Sequence, residues 1–327
     1  MKNELLTLEE AAERIAAGAV MSIAGEANLL AQLPKGQWIG GSTVYFMTAQ
    51  GGAVERTRLF CSIFPEGTQA TARYVPIEAL SSIPEGYKSG GVSLVIIPAF
   101  SQAHARFAQD GADYPHLFDQ PLLGWISGVH LEEIGVVKPV VFDGATGQRH
   151  EDGAVLLHIL TAHAAEPKLD IINIFQQGTD EDLVFTFPEV GFGATTAQVH
   201  GKDVNLAAYL TEKAVDTRLP LVANYAGAMI NVSFQNVDLA AGKVDFYAPV
   251  FPGVEYRLAA PQGDYAQSFS AQAGAGGAAM LSCNCILNYL YGALEGKTTG
   301  GYTGPVTFGE IAYILLNQTL VKLELAA

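Results

Sequence analysis

Two rhythms of apolar positions run along this chain. In residues 7–17, Leu8, Ala11, Ala12 and Ile15 recur at helical spacing on one face. Thr7 stands where an N-cap belongs, Glu10 completes a capping box and Gly18 stops the turn. Shorter helical patterns cover 28–32, 103–109, 204–214, 267–273 and 286–294. Between them lie short runs of strand character: 19–24, 38–39, 43–47, 58–64, 122–126, 139–142, 153–160, 169–175, 183–187, 219–226, 243–248, 254–259, 311–316 and 319–325. The run 92–97 is apolar except for Ser93, the pattern of a strand covered on both faces. Asp143-Gly144 with Gly147 marks a hairpin-like turn. This mixture predicts α/β (mixed α+β) architecture, layered sheets with flanking helices.

One spacing occurs twice. Pro34, Trp38, Ile39 and Gly41 form P-x-x-x-W-I-x-G, and Pro121, Trp125, Ile126 and Gly128 repeat it. The chain's two tryptophans both fall in this pattern. The repetition predicts a duplicated N-terminal unit, residues 1–80 and 81–165, inside a first domain of residues 1–195. A C-terminal α/β domain of residues 196–327 is expected to follow. Gly40, Gly41 and Gly128 would let chain or ligand approach closely.

Composition narrows the function classes. Of 327 residues, 49% are apolar and 16% charged, so a large core is expected. No apolar run reaches the ~20 residues of a spanning helix. The formal charge of −15, with lysines and arginines scattered singly, argues against nucleic acid and anionic membranes as partners. The charged N-terminus has no signal-peptide pattern, and the odd count of cysteines (Cys61, Cys283, Cys285) shows no disulfide framework. A cytoplasmic protein is expected, with self-association left open.

Reactive residue types cluster weakly. Cys283-Asn284-Cys285 could supply two thiolates to a metal, but a closed zinc site needs about four ligands. Buried structural thiols are the expectation. Glu310 follows a glycine turn and could cap backbone donors or receive a ligand's ammonium group. The histidines His104, His116, His130, His150, His158, His163 and His200 show no metal-binding spacing. The stretch 191–196 lacks the lysine of a phosphate loop and reads as a turn. No catalytic set, metal or cofactor is expected.

The tail Gly304-Pro305-Val306-Thr307-Phe308-Gly309-Glu310-Ile311, followed by Asn317-Gln318-Thr319-Leu320, resembles the close of the FIST C domain, roughly G-F-Y-T-x-G-E-I then N-x-T-L. The strand Met280 to Cys283 and the turn Phe251-Pro252-Gly253 are similar to that family's strand and V-P-x-G turn. Ile39 to Ser42, Gly124 to Gly128 and Val141 to Gly144 look like the glycine turns of the FIST N domain. The resemblance implies a sensory module that binds a small ligand, an amino acid or similar polar metabolite. Two departures follow. The arginine that often succeeds the family's cysteine is absent from Asn284-Cys285-Ile286-Leu287, and the chain carries no fused signalling segment, so a separate signalling protein would be the partner. The expected contacts are Glu310, Thr307, Asn317, Cys283, Gly40, Gly41 and Gly128, enclosing a pocket at the junction of the two domains. The rival readings are a hydrolase or lyase using the same pocket, with a nucleophile and base in hydrogen-bond reach, and a structural or assembly protein.

Overall fold

A computed structural model describes residues 1–160, 167–225, 227–273 and 280–325. His163 and most of the Gly/Ala-rich stretch 271–279 lie outside them. The chain is mixed α and β, with several sheets and flanking helices. No described helix is long and apolar enough to cross a membrane.

The first repeat runs β1 (Lys2–Leu6), α1 (Leu8–Ala16), β2 (Met21–Gly25), α2 (Ala27–Leu30), β3 (Trp38–Ser42), a hairpin of β4 (Tyr45–Thr48) and β5 (Gly51–Val54), then β6 (Leu59–Ile63). The Thr7–Glu10 capping box is present, with both reciprocal bonds. The second repeat follows the same order: β7 (Gln69–Val75), β8 (Val92–Pro98), α3 (Gln102–Asp110), β9 (Leu122–Ser127), the hairpin β10 (Val141–Asp143) and β11 (Gln148–His150), and β12 (Ala154–Leu160).

A third repeat opens with β13 (Lys168–Ile172) and is then interrupted. The interruption, residues 173–264, holds β14 (Val184–Phe185), β15 (Gly191–Ala194), β16 (Thr196–Val199), β17 (Lys202–Asn205), α4 (Leu206–Glu212), β18 (Leu221–Tyr225), β19 (Ala228–Val232), β20 (Phe234–Asp238), β21 (Lys243–Val250) and β22 (Tyr256–Leu258). The stretch expected as a turn at 191–196 is thus β15, paired with β21 through a bulge, and the start of β16. The repeat resumes with α5 (Tyr265–Ala273), β23 (Met280–Cys285), α6 (Ile286–Tyr291), β24 (Gly304–Thr307), the hairpin β25 (Glu310–Ala312) and β26 (Ile314–Leu316), and β27 (Leu320–Glu324).

Among the described residues three six-stranded sheets share one plan: β1-β6-β2-β3-β10-β11, β7-β12-β8-β9-β25-β26 and β13-β27-β23-β24-β4-β5. In each, two strands of one repeat pair in parallel (β2/β3, β8/β9, β23/β24) and the last strand returns antiparallel beside the first of the pair. The hairpin that completes each sheet comes from another repeat. Repeat two supplies it to repeat one, repeat three to repeat two and repeat one to repeat three. Strand pairing therefore crosses the boundary expected near residue 195.

The inward faces of the three sheets share a core that includes Ala24, Phe46, Phe60, Ile96, Trp125, Val141, Cys283 and Val321. Trp38 instead faces outward and packs with α1 and α2 residues such as Ile15 and Leu30. Cross-strand registers align the repeats. Ala24 stands opposite Phe60 and Gly41, with Gly41 opposite Val141. Ile96 stands opposite Val155 and Trp125, with Trp125 opposite Glu310. Cys283 stands opposite Val321, and Pro305 opposite Phe46. The counterpart of Trp125 is thus Gly41, not Trp38. The P-x-x-x-W-I-x-G match falls within related units but not on equivalent positions.

Candidate functional site

The register places Glu310 where the other two hairpins carry Phe46 and Val141, so one repeat points a carboxyl into an apolar layer. Glu310 is fully buried. Its Oε2 accepts from the Thr319 backbone N–H (3.2 Å) and hydroxyl (2.9 Å), and Oε1 lies 3.3 Å from Thr307 Oγ1. The Cys285 thiol lies near enough to favour its charged form. None of the ion pairs among the described residues involves Glu310. Burial without a cation pushes its carboxyl up to about 8, against the pull of Thr319, Cys285 and Thr307. The same burial, with Glu310 close by, holds both Cys283 and Cys285 far above the ordinary thiol range. These are protonated, inert thiols.

Around this carboxyl the ends of β3, β9 and β24 converge. Ser42 Oγ donates to the Gly128 carbonyl (2.7 Å), Thr43 Oγ1 to that of Val306 (2.8 Å) and the Phe308 N–H to that of Ile126 (3.0 Å). Every repeat thus touches the other two at this end, the carboxyl end of the parallel strands, where α/β sheets commonly bind ligands. Ser127 Oγ, Asn284 Nδ2, Asn288 Oδ1 and the Tyr289 hydroxyl are buried there without hydrogen-bond partners.

The expected contact residues are only partly assembled. Glu310, Thr307, Gly128, Gly41 and Cys283 come together. The space between them is filled by the chain itself. A Cβ on Gly41 would lie 2.6 Å from the Trp125 ring, and one on Gly128 would lie 2.0 Å from the Phe308 ring. Cys283 Sγ spends its hydrogen on the Gly124 carbonyl (3.4 Å). Gly40 faces away, against Trp38 and Leu30. Asn317 is buried, with Oδ1 unpartnered and its carbonyl held by Asn231 Nδ2 (3.0 Å). Among the described residues, none of the seven lines any of five clefts found on the surface. Beside Gly41 and Gly128 the space is taken by the indole and phenyl rings that glycine admits. Sequence reasoning missed Thr319, whose partner lies across the hairpin, and Ser127 and Asn288, which carry no motif.

An open cleft lies elsewhere, where the interruption of repeat three meets repeat two. It has a volume of about 470 Å³. Phe107 and Phe118 line one side, Tyr225, Ile230 and Tyr256 the other, with Leu315 of β26 between them. Its polar groups are few. Asn231 lies in the wall, and Gln109 and Asp113 stand opposite. No lysine or arginine lines it. Asn231 is itself committed to Asn173 and to the Asn317 and Gln318 carbonyls, so the wall of the cleft is tied to the turn that precedes Thr319. A smaller cleft of about 260 Å³ is lined by Asp216, Arg218, Asp264, Tyr265, Tyr291 and Lys297, among others.

Among the described residues no group of histidine, cysteine and carboxylate side chains could hold a metal ion. No curated protein matches the sequence. A family description matches nearly the whole chain, from residue 6 to residue 326, and on that extent the chain belongs to the family of unknown function DUF6976.

Proposed function

We propose that this protein binds a small molecule non-covalently in the cleft between α3 and the β18–β19 pair, and that the ligand is neutral or cationic with an apolar body. The cleft carries the reading: its volume suits a small ligand, its walls are aromatic and aliphatic, and its polar groups are few. An anionic group would meet Asp113 and no cation. The resemblance of the tail to the FIST C domain supports a sensory role, exercised through a separate signalling partner. A zwitterionic amino acid suits the smaller cleft better, where Arg218 and Lys297 stand near Asp216 and Asp264.

A thermal-shift panel of neutral, cationic, anionic and zwitterionic compounds tests this. A ligand at a hundredfold excess over Kd adds about 2.7 kcal/mol to stability. Neutral or cationic aromatic compounds should raise the melting temperature, and Ala228→Trp, which fills the larger cleft, should abolish the shift. A panel without shifts, or shifts that survive Ala228→Trp, overturns the assignment to this cleft. Shifts confined to amino acids and lost in Arg218→Ala would move the ligand to the smaller one.

A further inference from the structure

On the outer face of the second sheet, Ser93 of β8 stands opposite His158 of β12, with Ser93 Oγ 2.7 Å from His158 Nδ1. The neighbours allow the protons to be assigned. The Lys88 backbone N–H can only donate, so the atom it meets at 2.7 Å is the Gln120 oxygen, Oε1. Gln120 Nε2 then donates to Ser93 Oγ at 2.9 Å. Ser93 receives that bond, and Nδ1 is the acceptor within reach of its own hydrogen, so we assign that hydrogen to Nδ1 and the ring proton to Nε2. The result is a hydroxyl hydrogen-bonded to a neutral imidazole, the arrangement that activates a serine. Burial, with the Arg73 and Lys88 charges, holds the imidazole down at about 4, so it is a free base at neutral pH.

The fold does not require this pair. At the matching position repeat one carries Met21 opposite Ile63. Two buried donors on the same patch lack partners, His158 Nε2 and Arg73 Nε. Arg73 shares the outward face of β7 with Thr71, which is the residue opposite His158. The segment 84–90 covers the pair. Gly86 lies on the imidazole so closely that a Cβ would fall 2.6 Å from Nε2. The Lys88 N–H latches this segment to Gln120, and Gly90 takes a left-handed φ of 73° at its end.

We propose that Ser93 and His158 are a nucleophile and base for acyl transfer, closed beneath segment 84–90, and that the substrate is a small ester or thioester bearing an anionic group. Ser93 Oγ bonds to the acyl carbon as its proton passes to His158 Nδ1. The bond to the leaving alcohol or thiol then breaks, and the leaving group takes that proton. Water adds to the acyl-serine, gives a proton to Nδ1 that returns to Ser93 Oγ, and the acid departs. Arg73 Nε and His158 Nε2 are the donors that would meet the anionic group.

A fluorophosphonate probe with peptide mapping tests the nucleophile on the intact chain. The expected result is a label on Ser93 that forms faster in Gly86→Ala, whose new Cβ displaces the cover. The label should form about 100-fold more slowly or less in His158→Gln. Circular dichroism confirms that each variant is folded. No label on Ser93 in either the native chain or Gly86→Ala overturns the proposal, as does labelling unaffected by His158→Gln. For the substrate class, 4-nitrophenyl hydrogen succinate should acylate faster than 4-nitrophenyl acetate, and Arg73→Gln should erase the preference. Equal rates in the native chain overturn the anionic assignment.

Discussion

A carboxyl buried among apolar side chains with no cation must hold its proton longer than the same group in water. Glu310 is that group, and its proton affinity makes stability depend on pH. An unfolded chain releases the Glu310 proton near its ordinary value of about 4.3, whereas the folded chain keeps it to about 8. Between those values the native state holds more protons than the unfolded one. Stability therefore falls as pH rises across the window, by roughly 3 kcal/mol by neutral pH. Glu310→Gln keeps the shape and removes the titration. Its oxygen can accept from Thr319 and its amide can donate to Thr307 Oγ1. Urea unfolding of both proteins from pH 5 to pH 9 should show the variant gaining on the parent throughout, and overtaking it by pH 8. Parallel curves would mean that Glu310 is already ionised at pH 5.

At the scale of elements, the close approaches between strands, within a repeat and between repeats, rest on glycines whose neighbours differ in how far they can give. On Gly124 a Cβ would fall 1.9 Å from the Val95 carbonyl oxygen, backbone of the adjacent parallel strand. On Gly128 the nearest atoms it would meet all belong to the Phe308 ring. Both alanine variants should lose about 2 kcal/mol or more. The Gly128→Ala loss should shrink in a Phe308→Ala background, because the obstacle is gone, while Gly124→Ala should be as costly there as in the parent. Chemical denaturation of the three single and two double variants measures the coupling. Equal coupling for both glycines would contradict this contact geometry. The glycine clusters were visible in the sequence, as were the capped helix at Thr7 and the buried strand around Ser93, since each is written in adjacent residues. Their partners were not. Nothing near Gly41 says that Trp125 will fill its empty face, and nothing near Ser93 announces His158, because those pairs are made by strands that meet only in the sheet. The tail around Thr307 and Glu310 was legible as a unit. Its neighbours Thr319 and Cys285 were legible only as chain positions, and the open cleft, built from α3 and the interruption, carried no local signal.

At the scale of the molecule, the third repeat escaped the sequence because residues 173–264 separate its first strand from the rest. Once it is recognised, the chain is a closed exchange: every repeat lends a hairpin to one neighbour and borrows one from the other. Such a ring cannot lose one member without leaving two sheets short of strands. The interruption is joined to the same fate. Phe185, Leu221, Phe246 and Tyr256 from it share a continuous core with Phe107 of α3 and Leu315 of β26. Two independent domains would melt as two units, as chains of this length often do. The exchanged hairpins and the shared core predict a single one. Scanning calorimetry should give one endotherm whose calorimetric and van't Hoff enthalpies agree, with near-ultraviolet and far-ultraviolet dichroism lost together. Two resolved transitions, or a calorimetric enthalpy about twice the van't Hoff value, would show that the halves separate before they unfold. The hairpin exchange would then be too weak to bind the repeats into one cooperative body.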